Sequence, residues 1–443
     1  MATTDRRALL RTLRKRIFAG ALIVAALFTV IQAIDYHQNV PSNDTYQYAK
    51  QTMRILGHSQ QQAVHDAVVM YCQDSGNAAA TTATLNSAAG STGSHTDYSS
   101  AYESCLATYK DGLSPFSPRY IAIFTSRPGY PLTAAPLAAV FGLRFGLWSA
   151  AMLWTILGSF LIILLLRTVG CSDWLALGGQ VLFLAAPTGY WGSRMLTDGP
   201  SLTTSLLALL GAVWLARGRI RPGLWTLFAG LFAGFVVRYS SEQLVALVLA
   251  VAALICLKWV PSSRGRGMKL LAIGAGAGFI VSELASTLLG WPGFDVSLQD
   301  TFTKHFVRPD VSDPLGRLAN LDLHFWAYYP VSESTAMLMV VGLIAIAVAL
   351  LRRDPAFAVL SIAVALTGIG AVAAHPIESQ ADRLISPVWV LLALGLPVLF
   401  AARRNGPAQL GDAAGDGGTS AAARPEPSKP SESESAFVAS DVA

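Results

Sequence analysis

The sequence predicts an all-α polytopic membrane protein with about ten transmembrane helices, and three observations lead there. Hydrophobic residues make up 53% of the 443-residue chain and charged residues only 13%, an imbalance foreign to soluble proteins of this size. The apolar residues come in blocks of about 16 to 22, each able to cross a hydrocarbon layer of about 30 Å as a helix. Basic residues gather in alternate gaps between the blocks, which is how orientation is encoded in such chains. The formal net charge of +5 therefore reads as topology and not as a nucleic-acid surface.

The basic N-terminus, residues 1–16, precedes an apolar block at 17–34 with no small-residue cleavage site after it, so a retained signal anchor is predicted. Residues 35–129 form the first outer loop. Within it, PSNDTYQYAKQTMRILG predicts a helix with Asn43 or Asp44 as cap and Gly57 as stop. Tyr48, Ala49, Thr52, Met53 and Leu56 share one face of that helix, which suits a bilayer interface. A second helix is predicted over SQQQAVHDAVVMYC, followed by the flexible stretch NAAATTATLNSAAGSTGSHT. Cys72 and Cys105 bracket that stretch on the oxidising side, whereas Cys171 and Cys256 fall toward the inner face. A Cys72–Cys105 disulfide is expected, contributing about 3–4 kcal/mol by loop entropy. The short apolar run YPLTAAPLAAVFGL reads as a re-entrant or interfacial helix.

Further spans are predicted at 146–166, 174–191, 200–216, 223–237, 242–260, 270–290, 334–351, 356–374 and 384–401, with a second large outer loop over 291–333. Each inner gap then carries positive charge: Arg167; Arg217, Arg219 and Arg221; Lys258, Arg264, Arg266 and Lys269; Arg352 and Arg353; Arg403 and Arg404. Shifting the register by one span would place RGRIR and SSRGRGMK outside, so both termini are expected to be cytoplasmic. The membrane domain covers 17–404. The Gly-, Pro-, Ser- and Glu-rich tail, 405–443, is too polar to bury a core and is predicted to be disordered.

Inside the spans the polar residues are mostly Ser or Thr, Glu283 being the main exception. The other ionisable residues collect at the outer ends. They are Asp35 and Asp44, Arg194 and Asp198, Arg238 and Glu242, and His375, Glu378, Asp382 and Arg383; the 291–333 loop adds Asp300, Lys304, His305, Arg308, Asp310 and His324. Taken singly, each is what a solvated loop would carry. Together, a helical bundle would bring them around one outer mouth. Carboxylates there can activate a hydroxyl or hold a divalent cation, Mg or Mn. Arginines at the same level grip a phosphate without ever losing charge. The combination suits a lipid-phosphate substrate whose tail stays in the bilayer. No P-loop, HExxH, GxSxG or zinc-spaced Cys/His cluster is present.

Three stretches carry a family resemblance: NDTYQYAKQTMRILG, FTSRPGYPLTAAPLAAVFG and RMLTDGPSLTTSLLALL, supported by HPIESQADRLISPVWVLLALG. The chain resembles the GT-C class of integral-membrane glycosyltransferases, which includes protein O-mannosyltransferases and lipid A aminoarabinose transferases. The resemblance implies inverting transfer of a sugar from a polyprenyl-phosphate donor to a glycan, lipid or protein acceptor. It places the reaction at the outer face of the plasma membrane, with or without a divalent cation. By position, Asp44 looks like the catalytic acid of the first loop and Asp198 like the second. Arg127 fits the Arg-Pro-x-Tyr-Pro run, with a structural or donor-positioning role. Arg238 and Arg383 are chosen from the residues themselves as ligands of the donor phosphate; Lys304, His305 and Glu242 are other site candidates without an assigned role. The chain departs from the class in having no adjacent acidic pair in the first loop and no large C-terminal outer domain. Two other readings remain open from the sequence: a transporter or flippase for a lipid-linked envelope precursor, and a non-catalytic scaffold of envelope assembly.

Overall fold

Apolar blocks of this length have one stable form in a bilayer, because only a helix satisfies its own backbone donors and acceptors. The computed structural model of the protein describes residues 2–36, 42–90, 96–113, 116–332 and 336–401; the predicted disordered tail lies outside them. Among the described residues the chain is helical without strands. The order is α1 (Ala2–Asp35), α2 (Asn43–Ile55), α3 (Gln60–Ala88), α4 (Tyr98–Thr108), α5 (Pro118–Thr125), α6 (Gly129–Phe141), α7 (Leu143–Thr168), α8 (Asp173–Ala185) and α9 (Pro187–Gly192). There follow α10 (Asp198–Ala216), α11 (Ile220–Trp259), α12 (Arg266–Leu288), α13 (Phe294–Thr303), α14 (Pro314–Ser332), α15 (Ala336–Arg353), α16 (Pro355–Ala374), α17 (Glu378–Leu384) and α18 (Val390–Phe400). Among the described residues, 7 helical stretches are long and apolar enough to cross a membrane, and α6 and α8 are shorter apolar helices. The protein is a polytopic helical membrane protein.

One of those stretches is two spans joined. A straight helix of the 40 residues in α11 would measure about 60 Å, twice the hydrocarbon thickness. Arg238 leaves the helical region, with φ −162° and ψ 83°. Beyond it the chain doubles back: the Glu242 Cγ stands 3.1 Å from where a Cβ on Gly234 would lie. Eight residues of straight helix would hold those positions about 12 Å apart. The predicted spans 223–237 and 242–260 are therefore the arms of one hairpin turning at Arg238.

Four expectations need correction. The block at 174–191 is broken at Ala186, which is extended (φ −79°, ψ 172°) because it precedes Pro187. The stretch expected to be flexible after Cys72 is helical through Ala88. Its alanines favour helix, and Gly76 lets the Tyr98 ring of α4 approach to 2.8 Å of a would-be Cβ. The N-cap of α2 is neither Asn43 nor Asp44 but Ser42, whose Oγ accepts the Thr45 N–H at 3.1 Å; Gly57 ends the helix at φ +88° as expected. Finally, the apolar face of α2 meets protein and not the bilayer interface. Tyr48, Ala49 and Thr52 are fully buried, with the Phe124 and Tyr130 rings 5.7 and 5.4 Å from that of Tyr48.

The Cys72–Cys105 disulfide is formed, with Cα atoms 5.4 Å apart, and fastens α3 to α4. Cys171 and Cys256 are free and buried. Ion pairs Arg167–Asp173 and Arg217–Asp354 bind neighbouring loops at one end of the bundle. The opposite end carries α2, the start of α10, the turn at Arg238 and α17.

Candidate active site

The site is built by fastening α2 to the turn before α10. The Thr45 hydroxyl donates to the Met195 carbonyl at 3.3 Å, and the Tyr48 hydroxyl lies 3.2 Å from Thr197 Oγ1. With Ser42 doing the capping, the Asp44 carboxylate in the first turn is released from the helix end. It meets Arg383 instead, which also holds Asp198, the first residue of α10.

Arg383, in α17, joins the two acids. Its Nη1 is 2.9 Å from Asp44 Oδ2 and its Nε 3.0 Å from Asp198 Oδ2, while Nη1 also reaches Gln380 Oε1 at 3.3 Å. Arg238 reaches Asp198 Oδ1 at 3.7 Å from the hairpin turn. Arg127, set by Pro128 at the head of α6, lies in the field of Asp44 and beside the Tyr48 hydroxyl. The cluster is largely shielded from solvent, Asp198 and Arg383 keeping only 9% and 10% of side-chain exposure. Three guanidiniums face two carboxylates, so the site carries an excess positive charge. The Nε atoms of Arg127 and Arg238 are buried without a hydrogen-bond partner. Burial alone would raise the Asp44 carboxyl; Arg383 and then Arg127 outweigh it and hold the group below its ordinary value, so Asp44 is an anion at neutral pH.

A second layer rims the cluster. His305 Nδ1 lies 3.2 Å from Asp300 Oδ1, and the His305 ring sits 4.3 Å from that of Tyr120. The Asp300 hydrogen bond raises the His305 pKa despite burial, and Asp44 adds to the rise. Burial, with Asp44 and Asp300 next, raises the Tyr120 phenol. His375 Nδ1 is 2.7 Å from Thr301 Oγ1, and burial lowers that imidazole. Lys304, His305 and Phe306 hold φ of 50°, 61° and 62°, a left-handed run that L side chains adopt only under constraint. The constraint is visible: Thr303 Oγ1 accepts the Phe306 N–H at 3.1 Å, and Arg119 Nη1 donates to both Asp310 carboxylate oxygens at 2.8 and 2.9 Å, tying α5 to this loop.

Of the residues picked from sequence, Asp44, Asp198, Arg127, Arg238 and Arg383 come together, and His305 stands at their edge. Lys304 is exposed beside His305. Glu242 does not join them; it lies about one turn into the second arm of the hairpin, against Gly234. Asp310 and Asp382 are taken up by structural partners, Arg119 and the Tyr329 hydroxyl. Sequence reasoning missed Tyr48, Tyr120 and Gln380. Tyr48 had a signal, since it follows Asp44 by four residues and shares its helix face; Tyr120 and Gln380 had none.

A divalent cation needs carboxylate charge that is still available. Here both acids are bound to one guanidinium, with two more guanidiniums in their field, and a further dication would meet that positive charge. Among the described residues no group of three or more His, Cys, Asp or Glu gathers as a ligand set. The cluster does not fit a divalent ion; Arg383 stands where one would bridge the acids. Comparison with protein families, curated proteins and solved structures finds no match to this chain.

Proposed function

We propose that the protein is a glycosyltransferase of about ten spans with both termini cytoplasmic. It moves a sugar from a polyprenyl-phosphate donor to an extracytoplasmic acceptor hydroxyl, with inversion. The observation that carries this reading is the Arg383 guanidinium bridging Asp44 and Asp198 among two further arginines. Such an excess of permanent cation at the mouth of an apolar bundle suits a lipid-borne phosphate. The bond broken is that between the anomeric carbon and the phosphate oxygen; the bond formed joins that carbon to the acceptor oxygen. Negative charge grows on the departing phosphate, and fixed guanidiniums stabilise it without reorganisation. The unpartnered Nε groups of Arg127 and Arg238 leave donors for that charge.

Asp44 takes the acceptor proton. While Arg383 holds it, its low pKa makes it a weak base. A phosphate that draws Arg383 toward itself removes the strongest opposing charge, and burial then raises the carboxyl toward the range of a working base. Donor binding thereby arms the base. In this reading Arg383 takes the place that a divalent cation, left open by the sequence, would have had.

The test is turnover of labelled polyprenyl-phosphate sugars by the purified protein, read as release of polyprenyl phosphate. Asp44→Asn should abolish release, a fall of at least about 10²-fold, while the protein remains folded. Full release by that variant would remove Asp44 from the mechanism. Movement of intact donor across vesicles without cleavage would replace transfer by transport.

A further inference from the structure

Below the arginine cluster lies a small cavity lined by Ser201, Thr204, Ser205, Gly230, Gly234 and Glu242. It is a half-open recess between α10 and both arms of the α11 hairpin, about 5–12 Å beneath Asp198 by helix rise. It has room for about one water-sized body. The Glu242 side chain is 5% exposed, and its Oε2 has no hydrogen-bond partner. Such an orphan oxygen deep in an apolar bundle is costly unless something binds it.

We infer that this cavity is a binding site for a small monovalent cation, sodium, with the Glu242 carboxylate as its counter-charge. Every polar group around it is a hard oxygen. The Thr204 and Ser205 hydroxyls both donate to the Ser201 carbonyl, each at 2.8 Å, which leaves their oxygen lone pairs free to serve as ligands. Gly234 brings these oxygens together: a Cβ there would stand 3.1 Å from Glu242 Cγ and 3.3 Å from Thr204 Oγ1. From α12 the Ser282 hydroxyl lies beside Glu242, whereas the neighbouring Glu283 is exposed and does not line the cavity. One ionised Glu242 and one monovalent ion leave the cavity neutral, whereas a divalent ion would leave a buried net charge. The cavity is separate from the arginine cluster, so this site stands whether or not the transfer reaction does.

The test is thermal unfolding of the purified full-length protein, followed by tryptophan fluorescence, with sodium chloride exchanged for choline chloride at fixed ionic strength. Sodium should raise the melting temperature saturably, by about 1–2 °C at roughly ten times its dissociation constant. Glu242→Gln should remove the dependence. Should that variant fail to fold, Ser205→Ala keeps the carboxylate and should shift half-saturation upward by about tenfold. Identical melting of the wild-type protein in sodium and choline would overturn the inference and leave Glu242 a neutral buried acid. A Ser205→Ala protein with unchanged half-saturation would exclude this cavity as the site.

Discussion

Removing the Arg383 bridge is the sharpest perturbation the site offers. Arg383→Gln deletes contacts of 2.9 Å to Asp44 and 3.0 Å to Asp198 and leaves two carboxylates without the cation they share. Stripping one partner from a buried ion pair costs about 3–5 kcal/mol. The lower figure applies here, because Arg238 still lies 3.7 Å from Asp198 and Arg127 still acts on Asp44. Asp198→Asn alone should cost less, about 1–2 kcal/mol, since Arg383 keeps Asp44 as partner. In the double variant the acid that Arg383 most needed to balance is already neutral. A coupling of about 2 kcal/mol is therefore expected between the two positions. The assay is a double-mutant cycle on unfolding in detergent, with each variant checked for membrane insertion. Additivity within about 0.5 kcal/mol would mean the bridge does not exist in solution, and the electrostatic account of Asp44 would go with it.

Two further outcomes concern the outer loop. Replacing Cys72 and Cys105 by Ser reopens a loop whose ends are 33 residues apart, and should cost roughly 3–4 kcal/mol of local stability, read as faster proteolysis between α3 and α4. Asp74 is fully buried 2.5 Å from Arg144, and burial lifts its carboxyl to about 7 against the pull of that arginine. Its folded pKa then exceeds the ordinary value of 3.8, so the folded state holds the proton more tightly and stability should fall as pH rises from about 4 to about 7. Asp74→Asn should flatten that segment of the melting-temperature profile; an unaltered slope would show that Asp74 does not titrate there.

The membrane blocks were legible because the bilayer imposes a length and a composition on each one independently, so no knowledge of neighbours is needed. The hairpin in α11 was legible for the same reason: RYSSEQ interrupts two apolar runs, and Arg238 in a continuous helix would have no polar surroundings. What escaped reading depended on partners distant in sequence. Nothing local says that the apolar face of α2 meets Phe124 and Tyr130 and not lipid, because both environments reward the same residues. Nothing local says that Glu242, four residues from Arg238, turns inward while Arg238 turns toward Asp198. That division follows from Gly234, whose missing side chain leaves the space Glu242 occupies.

Asp44 shows how far such reading reaches and where it stops. As a residue type one position inside a predicted helix start, it is equally a cap and a reactive acid. Ser42 resolves the ambiguity by supplying the cap itself, which it does by accepting the Thr45 N–H. A cap that donated Asp44 to the helix end would tie its carboxylate to backbone amides and keep it from Arg383. The serine thus does for the site what no charge in the site can do: it leaves the acid without a structural duty. The chemistry then depends on a guanidinium from α17, 339 residues further along the chain (383 − 44), and on α2 being clamped to Met195 and Thr197.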